Sequence, residues 1–278
     1  FPAEFELSTL DGTNGFAIKG IAADDLTGFS VSGAGDVNGD GFADVIIGAI
    51  GADPNGNEYA GTSYVVFGSS EPFSDSFNLS QLNGTNGFAI NGINPGDLSG
   101  FSVSSAGDFN GDGFDDLLIG ALGADSFTGQ SYVVFGKASG FAASINLDAL
   151  DPSEGFALNG VAAGDFSAIS VSAAGDIDGD GYDDLIVGAS YADPNGRTNA
   201  GSSYVVFGRA AIKGDAANNS LFGTVSDDTI YAGDGNDQIF GSEGVNTLFG
   251  QDGNDLIYGG SQVDYIYAGN GNDTIYAS

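Results

Sequence analysis

The chain is 278 residues long and 41% apolar, and its 38 acidic side chains face only five basic ones, a formal net charge of −33 at pH 7. An apolar fraction of that size folds, whereas the charge excludes nucleic acid and anionic membrane as partners, because phosphate-binding faces need clustered Lys and Arg. With no His and no Cys, the usual Ser and Cys nucleophile triads cannot be assembled, no thiolate can hold a metal, and no enzyme is expected.

Cations are the expected partners of so acidic a chain. Its 48 glycines and its many Phe and Tyr favour short strands and tight turns, so the expected fold class is all-β. The longest apolar runs, such as VIIGAI from Val45, are too short to span a bilayer, and membrane insertion is not expected. There is no Met, so the expectation is of a chain processed or excerpted from something longer.

In chain order, a long unit comes first and is repeated three times before residue 214. It opens as FELSTLDGTNGFAIKG at Phe5, FNLSQLNGTNGFAING at Phe77 and INLDALDPSEGFALNG at Ile145. The units occupy about 5–76, 77–144 and 145–213, forming a first domain of residues 1–213. Each continues through a GFSVS-like segment, or AISVS in the third, into an acidic loop, then VIIGA, LLIGA or LIVGA, and closes on SYVVFG at Ser63, Ser131 or Ser203. The apolar runs have strand length and are bounded by Gly, Asn and Asp, about four short strands per unit.

The acidic loops read DVNGDGFAD from Asp36, DFNGDGFDD from Asp108 and DIDGDGYDD from Asp176. Oxygens at alternate places of a tightly turning loop can converge on one cation, and glycine lets the backbone curl. The first ligand set is Asp36, Asn38, Asp40, the Phe42 carbonyl and Asp44. The second is Asp108, Asn110, Asp112, the Phe114 carbonyl and Asp116, and the third Asp176, Asp178, Asp180, the Tyr182 carbonyl and Asp184. Residues 43, 115 and 183 fall between ligand places and should point away. Hard oxygen donors without His or Cys select Ca2+. About three ions are expected here, the third loop binding tighter for its extra Asp.

These motifs together resemble the FG-GAP repeat of the integrin α β-propeller and of many bacterial surface proteins. The resemblance covers roughly residues 5–213 and implies propeller-type blades of four short antiparallel strands each. Ile50, Leu122 and Ser190 stand where the family's name expects Pro, and Ala168-Ile169 replaces the Gly-Phe of the other units.

From Gly214 to Tyr276 the period is nine: GDAANNSLF, GTVSDDTIY, AGDGNDQIF, GSEGVNTLF, GQDGNDLIY, GGSQVDYIY, AGNGNDTIY. One inward aliphatic per unit at fixed period describes a stacked solenoid. The pattern is similar to the RTX nonapeptide, which implies that residues 214–278 form a parallel β-roll, two nonapeptides per turn, with calcium between the turns. About two good positions are then expected among Asp237, Asp255 and Asp273, with Gly233, Gly235, Gly253 and Gly271 turning the loops. The opposite side, Asp228, Asn246 and Asp264, should bind weakly or not at all.

Extracellular calcium modules bind at roughly 10⁻⁴ to 10⁻³ M, so such loops would be empty in a cytosol and filled outside a cell; an extracellular, secreted or surface-associated protein is expected. Three blades do not close a ring, which leaves sheet edges for other copies of the chain or for missing blades. The expectation is a calcium-ordered structural subunit of a self-associating layer or fibre. The alternative is a fragment of a calcium-dependent adhesin whose loops bind a surface polysaccharide, matrix or host ligand.

Overall fold

The computed structural model describes residues 4–151, 153–225 and 227–277. Two compact units divide after Gly208. That division precedes the change of period at Gly214, because Ile212 and Lys213 already pair in parallel with Ile230 and Tyr231 of the nonapeptide unit.

The first unit is built mainly of antiparallel sheets, with Ser144–Asn146 added in parallel on the outer edge of the first. Strands Thr27–Gly35, Asp44–Ala49 and Thr62–Val66 follow one another as a meander. The fourth strand of that sheet, Gly87–Asn91, belongs to the next sequence repeat and pairs Phe88 with Val65. The second sheet repeats the plan with Ser99–Gly107, Asp116–Ala121, Gln130–Val134 and Gly155–Asn159. Each blade therefore straddles a sequence unit and the opening of its successor. The third sheet, Ser167–Gly175, Asp184–Ala189 and Ser202–Val206, has three strands among the described residues, not the four expected. An earlier copy of the closing strand, Ala17–Lys19, pairs only in parallel with Ser76–Asn78.

Alternation along these strands sends side chains to both faces, and apolar residues on both make the cores lie between blades. Ile46, Val65 and Phe88 of the first sheet pack against Leu117, Ile119 and Tyr132 of the second. Leu118, Val133 and Ala106 on the other face of the second meet Leu185, Val187 and Val171 of the third. The bulge-like register shift between Ala173 and Gly175, repeated at the same place in the other two sheets, ends each hairpin in its acidic loop.

The second unit is a solenoid of three-residue parallel strands. One sheet stacks Ile212–Lys213, Thr229–Tyr231, Thr247–Phe249 and Tyr265–Tyr267; the other stacks Ser220–Phe222, Gln238–Phe240, Leu256–Tyr258 and Thr274–Tyr276. Neighbours within a sheet are 18 residues apart, for example Ile239 beside Ile257. The eighth-place aliphatics Ile230, Ile239, Leu248 and Ile257 form the fully buried core. Ninth-place rings stack along the sheets, Phe240 on Tyr258 at 5.0 Å and Phe249 on Tyr267 at 4.8 Å.

Candidate metal centres

Each hairpin loop of the first unit is tied together by its own acids. Asp36 Oδ1 accepts from the Asp40 N–H at 3.1 Å and Oδ2 from Gly41 at 2.9 Å, while Asn38 Oδ1 also accepts from Asp40 at 3.0 Å. Asp40 Oδ1 takes the Phe42 N–H at 2.9 Å. Asp108, Asn110 and Asp112 repeat this around Gly113 and Phe114, and Asp176, Asp178 and Asp180 around Gly181 and Tyr182. The alternate acids thus turn inward on one loop. In the third loop, oxygens of Asp176, Asp178 and Asp184 lie within 4.8 Å of one another.

The closing acids do more than the sequence spacing foretells. Asp44, Asp116 and Asp184 are buried, and each bridges two backbone donors. Asp44 accepts from Val37 at 2.9 Å and Gly68 at 2.8 Å; Asp116 from Phe109 at 3.1 Å and Gly136 at 2.9 Å; Asp184 from Ile177 at 2.7 Å and Gly208 at 2.9 Å. Each clamps the start of its loop to the glycine two residues beyond the blade's third strand. Burial pushes the Asp44 carboxyl up to about 6, with the charges of Asp40 and Asp36 adding to it against the two N–H donors. Asp116 is pushed up to about 8 by deeper burial and by Asp112 and Asp108. Acids so destabilised in their charged form fit a site completed by a cation.

Residues 115 and 183 leave their own loops, and each ends on the loop before it. Asp115 Oδ2 accepts the Asp36 N–H at 2.7 Å, and Asp183 Oδ2 the Asp108 N–H at 3.1 Å. The Phe114 and Tyr182 rings likewise lie on Gly39 and Gly111. Ordering one loop therefore steadies its predecessor. Asp115→Ala is expected to cost the blades about 1 to 2 kcal/mol, read as a shift of the urea midpoint at unchanged slope.

In the solenoid, Asp237, Asp255 and Asp273 form a ladder. Oδ1 of each accepts the backbone N–H of the residue 18 places earlier: Asn219 at 2.7 Å, Asp237 at 2.9 Å and Asp255 at 2.9 Å. The second oxygens, Asp237 Oδ2 and Asp255 Oδ2, are buried without a hydrogen-bond partner. Burial raises both carboxyls above the usual range, against the pull of the N–H bonds. Gly233, Gly235, Gly253 and Gly271 all adopt positive φ. At Gly253 and Gly271 a Cβ would collide with the carbonyl of Gly235 or Gly253 one turn earlier, so only glycine fits. Orphaned carboxylate oxygens in a stack of turning backbone are a donor set that calcium suits.

The opposite side of the solenoid carries the same ladder with one substitution. Asn246 is fully buried, and its Nδ2 donates to the carbonyls of Glu243 and Gly244 at 3.3 Å and to Asp264 Oδ1 at 3.0 Å. An amide nitrogen there satisfies oxygens that a cation would otherwise gather.

Comparison with known families agrees with this geometry. The FG-GAP repeat matches residues 27–66, 99–134 and 168–206, and the RTX calcium-binding nonapeptide repeat matches 213–248 and 240–275. The chain carries FG-GAP repeats followed by RTX repeats. The matched FG-GAP segments coincide with the first three strands of each blade. Similar proteins include phosphatidylinositol-glycan-specific phospholipase D of Bos taurus, 28% identical over 66% of this chain and 22% of that protein. Integrin alpha-V of Gallus gallus is 31% identical, and integrin alpha-4 of Xenopus laevis 29%, each over 58% of this chain and 14% of the relative. The chain thus spans less than a quarter of the length of these relatives. The two repeat families mark a calcium-binding protein of extracellular type. No helix among the described residues is long and apolar enough to cross a membrane.

Proposed function

We propose that this chain is a non-catalytic, calcium-ordered structural subunit that works outside the cell and associates with copies of itself. The observation that carries the calcium part is the pair of buried, partnerless oxygens on Asp237 and Asp255. Calcium there would supply positive charge to the acid ladder; Asp237, Asp255 and Asp273 would hold about two ions, and the three hairpin loops about three more. Asn246 argues that the other side needs none. Weak extracellular-type affinity would couple export to folding, because carboxylates that repel when unoccupied come together only where calcium is plentiful.

A second reading, a piece of an adhesin whose propeller loops bind a matrix, carbohydrate or host ligand, is supported by the likeness to integrin alpha chains. Light scattering and circular dichroism during a calcium titration from chelator to about 10 mM separate the two. Gained β signal with growing particle mass is the result expected of the subunit; gained β signal at monomer mass favours the adhesin piece, and no response to calcium overturns both.

A further inference from the structure

The first and third blades expose the two halves of an interface that this chain already makes twice internally. Val31, on the innermost strand of the first blade, is 67% exposed, whereas its equivalents Val103 and Val171 are 7% and 6% exposed because a preceding blade covers them. Leu26 and Phe29 beside it are exposed too. On the outward face of the third blade the opposite half is bare. Val205 is 43% exposed, against 0% for its equivalents Val65 and Val133, and Ile177 and Phe207 are exposed where Val37 and Phe67 are buried.

The receiving face also holds a ready-made recess. At the first two interfaces Gly48 and Gly120 lie hard against the backbone of Gly100 and Ala168 of the next blade, and Gly61 and Gly129 against Ser99 and Ser167. The atoms nearest to their equivalents Gly188 and Gly201 belong to their own blade, and the two line an open cavity of about 500 Å³ with Ile169, Ser170, Ser202 and Ser203. Gly28, the counterpart of Gly100, has nothing within 4 Å of its missing side chain. Gly179 is likewise bare where Gly39 and Gly111 carry a ring, and Phe42, the matching ring, is exposed.

The unfinished strands match as well. Among the described residues, Ser202–Val206 lacks the closing strand that Gly87–Asn91 and Gly155–Asn159 give the other two blades, and Ala17–Lys19 has no antiparallel partner. The segment GFAIK at Gly15 has the sequence of GFAIN at Gly87 but for its last residue, and SSYVV at Ser202 that of TSYVV at Thr62 but for its first. Phe16 stacks on Phe73 at 4.1 Å as Phe88 stacks on Phe141 at 4.5 Å. Phe67 completes the latter cluster at 5.5 Å from Phe141, and its counterpart Phe207 is the exposed ring of the third blade.

We propose that two copies of this chain associate head to tail, the third blade of one receiving the first blade and the closing strand of the other. By the register of Thr62–Val66 with Gly87–Asn91, Ser202 of one copy faces Lys19 of the next, Tyr204 faces Ala17 and Val206 faces Gly15. The same patch is not used on both sides, so the contact is heterologous and propagates until it closes or forms a filament. It lacks one internal latch: Ala43 stands where Asp115 and Asp183 bond the preceding loop. Mutual repulsion of acidic copies adds to that, so association strengthens with salt up to physiological ionic strength.

The inference rests on the self-associating reading above and is tested with the full chain in saturating calcium by sedimentation, with circular dichroism on the same samples. Val31→Asp blocks one end and Val205→Asp the other, both at positions already exposed to solvent. Each variant alone is expected to stay monomeric, weakened about a hundredfold or more by a buried unpaired charge, while an equimolar mixture forms dimers and nothing larger. In this cysteine-free chain, mixing Lys19→Cys with Ser202→Cys is expected to give a covalent heterodimer under mild oxidation, since opposed antiparallel residues sit about 4.5 to 5.5 Å apart, within disulfide reach. A monomeric wild type with full β signal, or single variants that assemble like it, overturns the interface and leaves calcium-driven folding standing. Head-to-tail dimers that form equally in chelator keep the interface and overturn the calcium requirement.

Discussion

Withdrawing calcium is expected to unfold the nonapeptide unit while the blades keep most of their strands. The solenoid's buried core is small: Ile230 and Leu248 from one sheet and Ile239 and Ile257 from the other, on strands three residues long, and Ala232. So little apolar burial leaves a small unit dependent on a staple. Its acid ladder works against it when no cation is present. Asp237 Oδ2 and Asp255 Oδ2 are buried without partners, and uncompensated buried charge costs several kcal/mol per ion, comparable with the 5 to 15 kcal/mol, roughly, that holds a domain together. Hydrogen exchange across residues 229–276 with and without chelator measures this directly; equal protection in both would sink it. Asp255→Asn sharpens the test, because Asn246 shows what an amide does at the same height on the other side. Given the equivalent carbonyls, those of Asp252 and Gly253, the amide is expected to raise metal-free stability by about 1 to 3 kcal/mol while fewer calcium ions bind.

The repeats, the acidic loops and the two-sheet solenoid were legible because each is a local pattern. Asp, Asn and Gly at alternate places describe one turn of backbone, and a period of nine with Ile or Leu at the eighth place describes one stacking unit. What the sequence hid are contacts between elements. Nothing in GFAIN at Gly87 says that it closes the blade of the unit before it; that follows from the sheet Thr62–Val66 having a free edge. Asp115 and Asp183 occupy a gap between ligand places, and only the stacking of blades shows their carboxylates landing on Asp36 and Asp108. The amide of Asn246 reads in sequence as a weakened ligand, yet in the fold its nitrogen donates to the carbonyls of Glu243 and Gly244 and to Asp264 Oδ1.

Asp116→Ala is expected to be the most damaging single change in the blades. Asp116 is fully buried at the head of the strand that forms the middle of the central sheet, beside Leu117, Leu118 and Ile119, which face the cores on both sides. Its two oxygens hold Phe109 and Gly136, so truncation strands two buried N–H donors at about 1 to 3 kcal/mol each and frees the loop from the blade's last turn. The expected loss is about 3 to 5 kcal/mol, a third or more of an ordinary domain's stability. Asp40→Ala, at the exposed tip of the first loop, gives up its bond to the Phe42 N–H in solvent and is expected to cost under about 1 kcal/mol in chelator. The comparison is best made by urea unfolding in chelator, where the solenoid is already unfolded and one transition reports the blades. If Asp116→Ala fell within about 1 kcal/mol of the wild type, the clamp would be incidental to the fold.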